Sequence, residues 1–266
     1  MRLDGLGCVN VELTSRCNKK CWMCGRRKVD SDHPELALEY GDMDFELVRG
    51  IAKQMPSNIV VQFHKDGEAL LYPRFGEAVK LFKGQIKNIV TNGKLIVEKA
   101  NEIIDNLDTL SISIFEGDEE AGEQMGLIDK FLKIKGKSKP FTSLRLIGKV
   151  DPAPYERFGV LVIKRVLHAK MGSFNYHKKK PTIPEVGICW DFLHHLCINR
   201  QGNVSICVRF DPKKAGVIGN LNDHSLDEIW NSKLRMEWLE YHKSGQRNKI
   251  PFCSCCEFWG VPISPE

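Results

Sequence analysis

Between residue 8 and about residue 170 the chain repeats one unit: a short β-branched run that ends in a loop and is followed by a helix-like amphipathic stretch. Runs at 9–13, 58–64, 87–91, 109–115, 143–147 and 160–167 have strand composition. Helical patterns fall between them at 43–55 behind a cap at Asp42, at 73–82 with Pro73 near the first turn, at 97–107, at 119–134 and briefly at 154–158. Strand, crossover helix, parallel strand is the implied unit. Six such units with right-handed crossovers either curl into a partial (β/α)6 TIM barrel or lie flat as a doubly wound sheet, and the α/β pattern alone leaves both open.

The alternation fails after Met171. Residues 174–184 are polar, basic and punctuated by Pro181 and Pro184, which sets an expected boundary near 180 between a barrel at 1–180 and a small domain at 181–266. That second segment shows a hairpin signal at Gln201-Gly202-Asn203 and a helical stretch at 225–241, and a domain so small commonly borrows stability from metal. The net charge of +5, from 39 basic and 34 acidic residues, is well mixed apart from Lys178-Lys179-Lys180, so no nucleic-acid partner is expected. No apolar run nears the roughly 18 residues of a membrane span and the first residues lack a signal-peptide core, so a cytoplasmic protein without membrane contact is expected.

Ten cysteines, at 8, 17, 21, 24, 189, 197, 207, 253, 255 and 256, stand at the two ends of the chain with none between 25 and 188. A disulfide scaffold would be short and loop-rich, so metal ligation is the better use for these thiols. Cys17, Cys21 and Cys24 form C-x3-C-x2-C in the loop after the first strand. Three thiolates can hold three corners of a cubane iron-sulfur cluster and leave the fourth iron open. A zinc site completed by a distant Cys or His fits the spacing as well. The position, at the mouth of the βα array where barrel active sites are built, favours the reactive cluster.

Here the residues resemble the radical S-adenosylmethionine (SAM) superfamily, whose signature is C-x3-C-x-Φ-C at the end of the first strand of a partial barrel. Met23 stands where an aromatic residue usually packs near the adenine, and a flexible thioether can fill that space. Asp66-Gly67-Glu68 after the second strand resembles the glycine-glutamate motif that receives the SAM amino group, with Asp66 in place of the commoner glycine. The resemblance also implies cofactor contacts at Asn92 after the third strand and at Ser113 and Glu116 around the end of the fourth. Substrate-contacting groups are implied at His168 and Lys170 after the sixth, and His64 is a further candidate beside the cofactor motif.

The second cysteine group reads Cys189, twelve residues, Gly202, four residues, Cys207, a gap of 45 residues, then Cys253-x2-Cys256. Spacing alone allows zinc or a cluster held by four thiolates. With Gly216 to Leu221 and Leu226 to Asn231 between, the run resembles the SPASM/twitch extension, and one auxiliary 4Fe-4S cluster makes it a twitch. Cys8, Cys197 and Cys255 are left over: Cys8 suits a buried start of the first strand, and either of the others could replace a named ligand.

The resemblance implies SAM and a SAM-binding 4Fe-4S cluster that yield a 5′-deoxyadenosyl radical, fed by an electron donor such as flavodoxin or ferredoxin and directed at a small-molecule substrate. In length and spacing the chain is similar to aminocyclitol-oxidising twitch enzymes. An auxiliary cluster with no open iron suits the role of electron acceptor, hence oxidation of an alcohol to a ketone. A peptide maturase, an epimerase or carbon-carbon bond former, and a non-catalytic zinc-stapled binding protein are the alternatives.

Overall fold

A computed structural model of the chain describes residues 3–165, 188–254 and 256. In chain order its elements are β1 (Cys8–Val11), α1 (Gly25–Asp32), α2 (Phe45–Gln54), β2 (Val60–Gln62), α3 (Phe75–Leu81), β3 (Ile86–Thr91), α4 (Ala100–Ile103), β4 (Thr109–Phe115), α5 (Ala121–Lys135), β5 (Phe141–Ile147), α6 (Ala153–Glu156) and β6 (Leu161–Arg165). The carboxy-terminal part adds α7 (Trp190–His194), β7 (His195–Ile198), β8 (Asn203–Ser205), β9 (Val217–Asn220), α8 (Leu226–Trp230) and α9 (Lys233–Lys243).

Among the described residues one sheet holds every strand, in the order β6-β5-β4-β3-β2-β1-β7-β8-β9. From β1 to β6 each strand pairs in parallel with the one before it. A doubly wound sheet reverses its direction of travel at a switch point. The six-strand order here runs one way throughout, so the units wind as a partial TIM barrel.

The strands present a different face at each successive residue. Val9, Val11, Val61, Phe63, Ile89, Leu110, Ile112, Ile114, Leu144 and Leu146 are buried, and the edge-on contact of Phe63 with Phe82, 5.1 Å between centroids, marks that face as the one under the helices. The other face is polar and bonded to itself from strand to strand: Asn10 with His195, Asn88 with Thr109 at 2.6 Å, Ser111 with Ser143 at 2.9 Å. A sheet covered by helices on one side thus presents a polar lumen on the other.

Several elements differ from the sequence expectation. The cap of α2 is Asp44, whose carboxylate accepts from Glu46 N and Leu47 N, while Asp42 is taken by Arg16 at 2.9 and 2.8 Å. The helix expected at 97–107 shortens to α4, because Asp105 turns left-handed at φ 58° and gives its N–H to Lys139 O. The stretch at 225–241 is two helices: Ser225 caps α8 with a capping box, and Ser232 caps α9 by accepting from Arg235 N. The largest departure is β7. It pairs in parallel with β1, Cys8 opposite His195 through Val11 opposite Ile198, and then turns through Gly202 into antiparallel β8. The carboxy-terminal hairpin therefore continues the barrel sheet past β1.

Candidate active site

The three-thiol loop is fastened at its entry. Thr14 and Ser15 hydroxyls donate to Gly41 O, and Arg16 reaches Asp42 and Leu71 O. Gly67 packs beneath, and a Cβ there would lie 2.3 Å from Thr14 O and 2.8 Å from Arg16 O. Glu68 N then donates to Arg16 O at 2.8 Å. Gly67 is demanded by close approach of two backbones rather than by a turn.

Glu68 is fully inside. Its carboxylate accepts from Leu70 N, from Thr91 Oγ1 at 2.9 Å and from Asn92 N at 2.8 Å, so it binds the loop after β2 to the loop after β3. Asn92 in turn donates to Asn18 Oδ1 at 2.8 Å and to Cys17 Sγ at 3.9 Å. Cys17, Glu68 and Asn92, far apart in sequence, are one network. Sequence reasoning missed a fourth member: Gln124, 2% exposed on α5, donates to Asn92 O and Ser113 O at 2.6 and 2.9 Å. Its signal was a glutamine in register with buried Ile128 and Phe131.

A cleft of about 440 Å3 opens beside the thiol loop, lined by Cys21, Met23, Phe115 and Gly117. Trp22 crosses it, donating from Nε1 to Glu116 O at 2.9 Å, and buried Lys19 pairs with Asp118. The Glu116 carboxylate accepts from Lys149 N at 2.8 Å and so holds the β4 end to the β5 end. Ser113 stands opposite Arg145 on β5. Arg145, also missed, has a buried Nε without a partner, and burial, then the charge of Arg165, lowers its pKa. The alternation Ser143-Leu144-Arg145 would have put it on the Ser143 face. His64 shares the lumen; burial, then Arg145 and His195, bring its pKa down to about 3, so it stays neutral.

The Asp66 side chain pairs with Lys65 and lines a second cavity of about 220 Å3, together with Glu12, Cys197, Arg200 and Ser205. Glu12 accepts from Arg200 N at 3.0 Å and Asp66 N at 3.4 Å, tying the barrel to the hairpin, and burial, then Asp66, raises its pKa.

Cys189, Cys207, Cys253 and Cys256 converge on a separate recess walled by Phe192, Ile206 and Phe252. Cys197 lies in the 220 Å3 cavity instead, and Cys255, His168 and Lys170 lie outside the described residues. Among the described residues no three His, Cys, Asp or Glu side chains gather as ligands of a single metal ion do. Burial pushes the Cys17, Cys21, Cys207 and Cys253 thiols up, Cys21 and Cys207 to about 12, so their deprotonation calls for a cationic centre in each set. Wider sets of three and four thiols fit cubane clusters, which spread their ligands over separate irons.

Residues 11–150 match the family model of the radical SAM superfamily. The chain belongs to the radical SAM superfamily. Residues 189–257 of this radical SAM enzyme match SPASM, an iron-sulfur cluster-binding domain, so the protein takes SAM, a SAM-binding 4Fe-4S cluster and an auxiliary cluster. It is 24% identical over 256 residues to the S-adenosyl-L-methionine-dependent 2-deoxy-scyllo-inosamine dehydrogenase of Niallia circulans, covering 93% of this chain and 91% of that one. Its fold is that of BtrN in complex with AdoMet and 2-DOIA, with TM-score 0.65 and 20% identity over 94% of this chain and 92% of that one. Streptococcus suis SuiB bound to the precursor peptide SuiA shares the fold with TM-score 0.59 at 11% identity, over 95% of this chain and 71% of that one. Among the described residues no helix is long and apolar enough to cross a membrane.

Proposed function

We propose that this radical SAM enzyme oxidises an alcohol carbon of a small polyhydroxylated substrate to a ketone, with the auxiliary cluster as electron acceptor. The observation that carries this is the pairing of β7 with β1. The three-thiol loop begins beyond the far end of β1, and Cys189 lies one short helix before the near end of β7, so the two thiol groups lie toward opposite ends of adjacent parallel strands four residues long. Those strands are roughly 13 Å long, so one continuous sheet carries both thiol groups. The likeness to a dehydrogenase over nearly the whole chain supports the reaction type.

Cys17, Cys21 and Cys24 hold the first cluster, and Cys189, Cys207, Cys253 and Cys256 the second. When bound and reduced by one electron from a flavodoxin or ferredoxin, the first site supplies a 5′-deoxyadenosyl radical that takes hydrogen from the substrate. The chain's own work is placement. Asp66 and Gly67 offer backbone to the SAM amino group, with Glu68 and Asn92 fixing their loop. Arg145 and Ser113 supply a cation and a hydroxyl for the SAM carboxylate. Met23 and Phe115 wall the adenine side, and Glu116 sets the edge of the ribose site. The 220 Å3 cavity, with Glu12, Lys65 and Ser205 on its walls, takes the substrate. The resemblance offers Lys170, and after it His168, as the partner of the substrate hydroxyl.

The test is anaerobic turnover of the reconstituted enzyme with SAM, a reductant and a panel of polyols and amino sugars deuterated at the carbinol carbons. Equal amounts of ketone and deuterated 5′-deoxyadenosine are expected. An epimer carrying solvent hydrogen in place of a ketone would remove the dehydrogenase reading.

A further inference from the structure

Oxidising an alcohol releases a hydroxyl proton as well as a hydrogen atom and an electron, so the cavity of about 220 Å3 needs a group that can take a proton. Four carboxylates line it: Glu12, Glu39, Asp66 and Asp211. Asp66 is paired with Lys65, Glu39 with Arg200 at 3.1 Å, and the two oxygens of Asp211 accept from Ala215 N at 2.9 Å and Gly216 N at 2.7 Å. Glu12 is different. It is 4% exposed, and among the described residues no cation donates a hydrogen bond to it. Each of its oxygens accepts one backbone N–H, Oε2 from Arg200 at 3.0 Å and Oε1 from Asp66 at 3.4 Å. A carboxylate has about four acceptor sites, so each oxygen keeps a lone pair for a substrate hydroxyl. Two other buried residues on the same wall are unsatisfied, Ser205 at Oγ and Arg26 at Nε. Polar groups left unmatched on a cavity wall suit a ligand that carries hydroxyls.

We propose that Glu12 is the catalytic base of the oxidation and takes the proton of the substrate hydroxyl in this cavity, a role that rests on the dehydrogenase reading. The carbinol C–H bond breaks first, its hydrogen atom leaving in 5′-deoxyadenosine. The O–H bond of the substrate radical then breaks as C=O forms, the proton going to Glu12 and one electron to the oxidised auxiliary cluster. Before the next turnover Glu12 gives the proton to solvent, and the electron passes to a carrier of the flavodoxin or ferredoxin class. Lys170, the partner of that hydroxyl implied by resemblance, donates as an ammonium and leaves the proton for another group. The groups facing Glu12 suit it to the task. Burial, then Asp66, raises its pKa, while Lys65, the Arg200 N–H and Arg26 oppose the rise. From β7 it is faced by the Cys197 thiol, itself raised by burial. A carboxylate raised toward working pH is a better proton acceptor than an ordinary one.

The experiment compares the reconstituted wild type with Glu12→Gln on the deuterated polyols and amino sugars of the panel. The variant is expected to form ketone about 100-fold more slowly, with iron content, KM and the deuterium in 5′-deoxyadenosine retained, because hydrogen abstraction precedes proton loss. In the wild type kcat should rise with pH along a limb above the ordinary carboxylate value of about 4.3, and the variant should lose that limb. An infrared titration needs no turnover: a carboxylic acid band that ionises above the same value should be present in the wild type and missing from the variant. A loaded Gln variant with the wild-type kcat and limb, or with that band intact, overturns the assignment of Glu12 alone. A wild type that makes no ketone from any member of the panel removes the dehydrogenase reading and the base with it. Should the Gln variant lose its iron, Glu12→Asp decides. A loaded Asp variant with a displaced limb supports the base. An unchanged limb and kcat, or loss of iron there too, assigns Glu12 to holding the loop after β2 to the hairpin.

Discussion

Gly67 has no room for a methyl group: its Cβ would stand 2.3 Å from Thr14 O, and both neighbours are backbone that cannot swing aside. Gly67→Ala is expected to cost about 1–3 kcal/mol as overpacking and to drop iron from about eight per chain to about four, read by a melt and by iron analysis. His195 makes a second prediction. Burial alone would lower its pKa, but the Asp191 carboxylate, 3.8 Å from Nδ1, and Cys8 outweigh burial and lift it to about 9. Because the folded pKa is above the ordinary value, its contribution is complete below about pH 6.5 and lost as pH rises through 9, on the order of 3 kcal/mol in all. Thermal stability should fall across that window, and His195→Gln should flatten the decline. At this scale the cysteines and the Gly-Glu pair were legible because thiol spacing is a property of sequence. Arg145 and Gln124 were not, because what marks them is the face they share with residues of other strands and helices.

Between elements, the thiol loop is latched to the loop after β4 by the buried pair Lys19 and Asp118 and by the Trp22 indole on Glu116 O. Asp118→Asn leaves the buried Lys19 ammonium with Glu120 at 3.5 Å in place of its close partner, a loss of about 3 kcal/mol at most, and should weaken SAM binding measured by calorimetry. Lys19→Met with Asp118→Leu, which removes both charges, should recover most of the stability. The strands were readable from period-two alternation. Helix ends were less so: Asp42 and Asp44 are both acceptable caps, and the choice was made by Arg16, a partner 26 residues away in sequence. Likewise Ser232 reads as an ordinary helix residue until its hydroxyl is seen to restart the helix.

For the whole molecule, replacing Cys17, Cys21 and Cys24 by Ala should lower iron from about eight to about four while leaving the circular dichroism of the fold in place, since the four-thiol recess is built separately. Retention of all iron would mean that the carboxy-terminal group binds both. An expected boundary at 180 captured the change in composition but not the pairing of β7 with β1, because register between distant strands is set by contacts no local pattern encodes. That pairing has a consequence for how the chain is made. His195 meets Asn10 across 185 residues, so β1 leaves the ribosome long before β7 and waits for it with one edge unpaired. Closure of so long a loop is slow, and an open parallel edge invites pairing with other chains. Residues 1–180 expressed alone should therefore aggregate, and supplying residues 181–266 in trans should restore solubility to the extent that β7 finds its place.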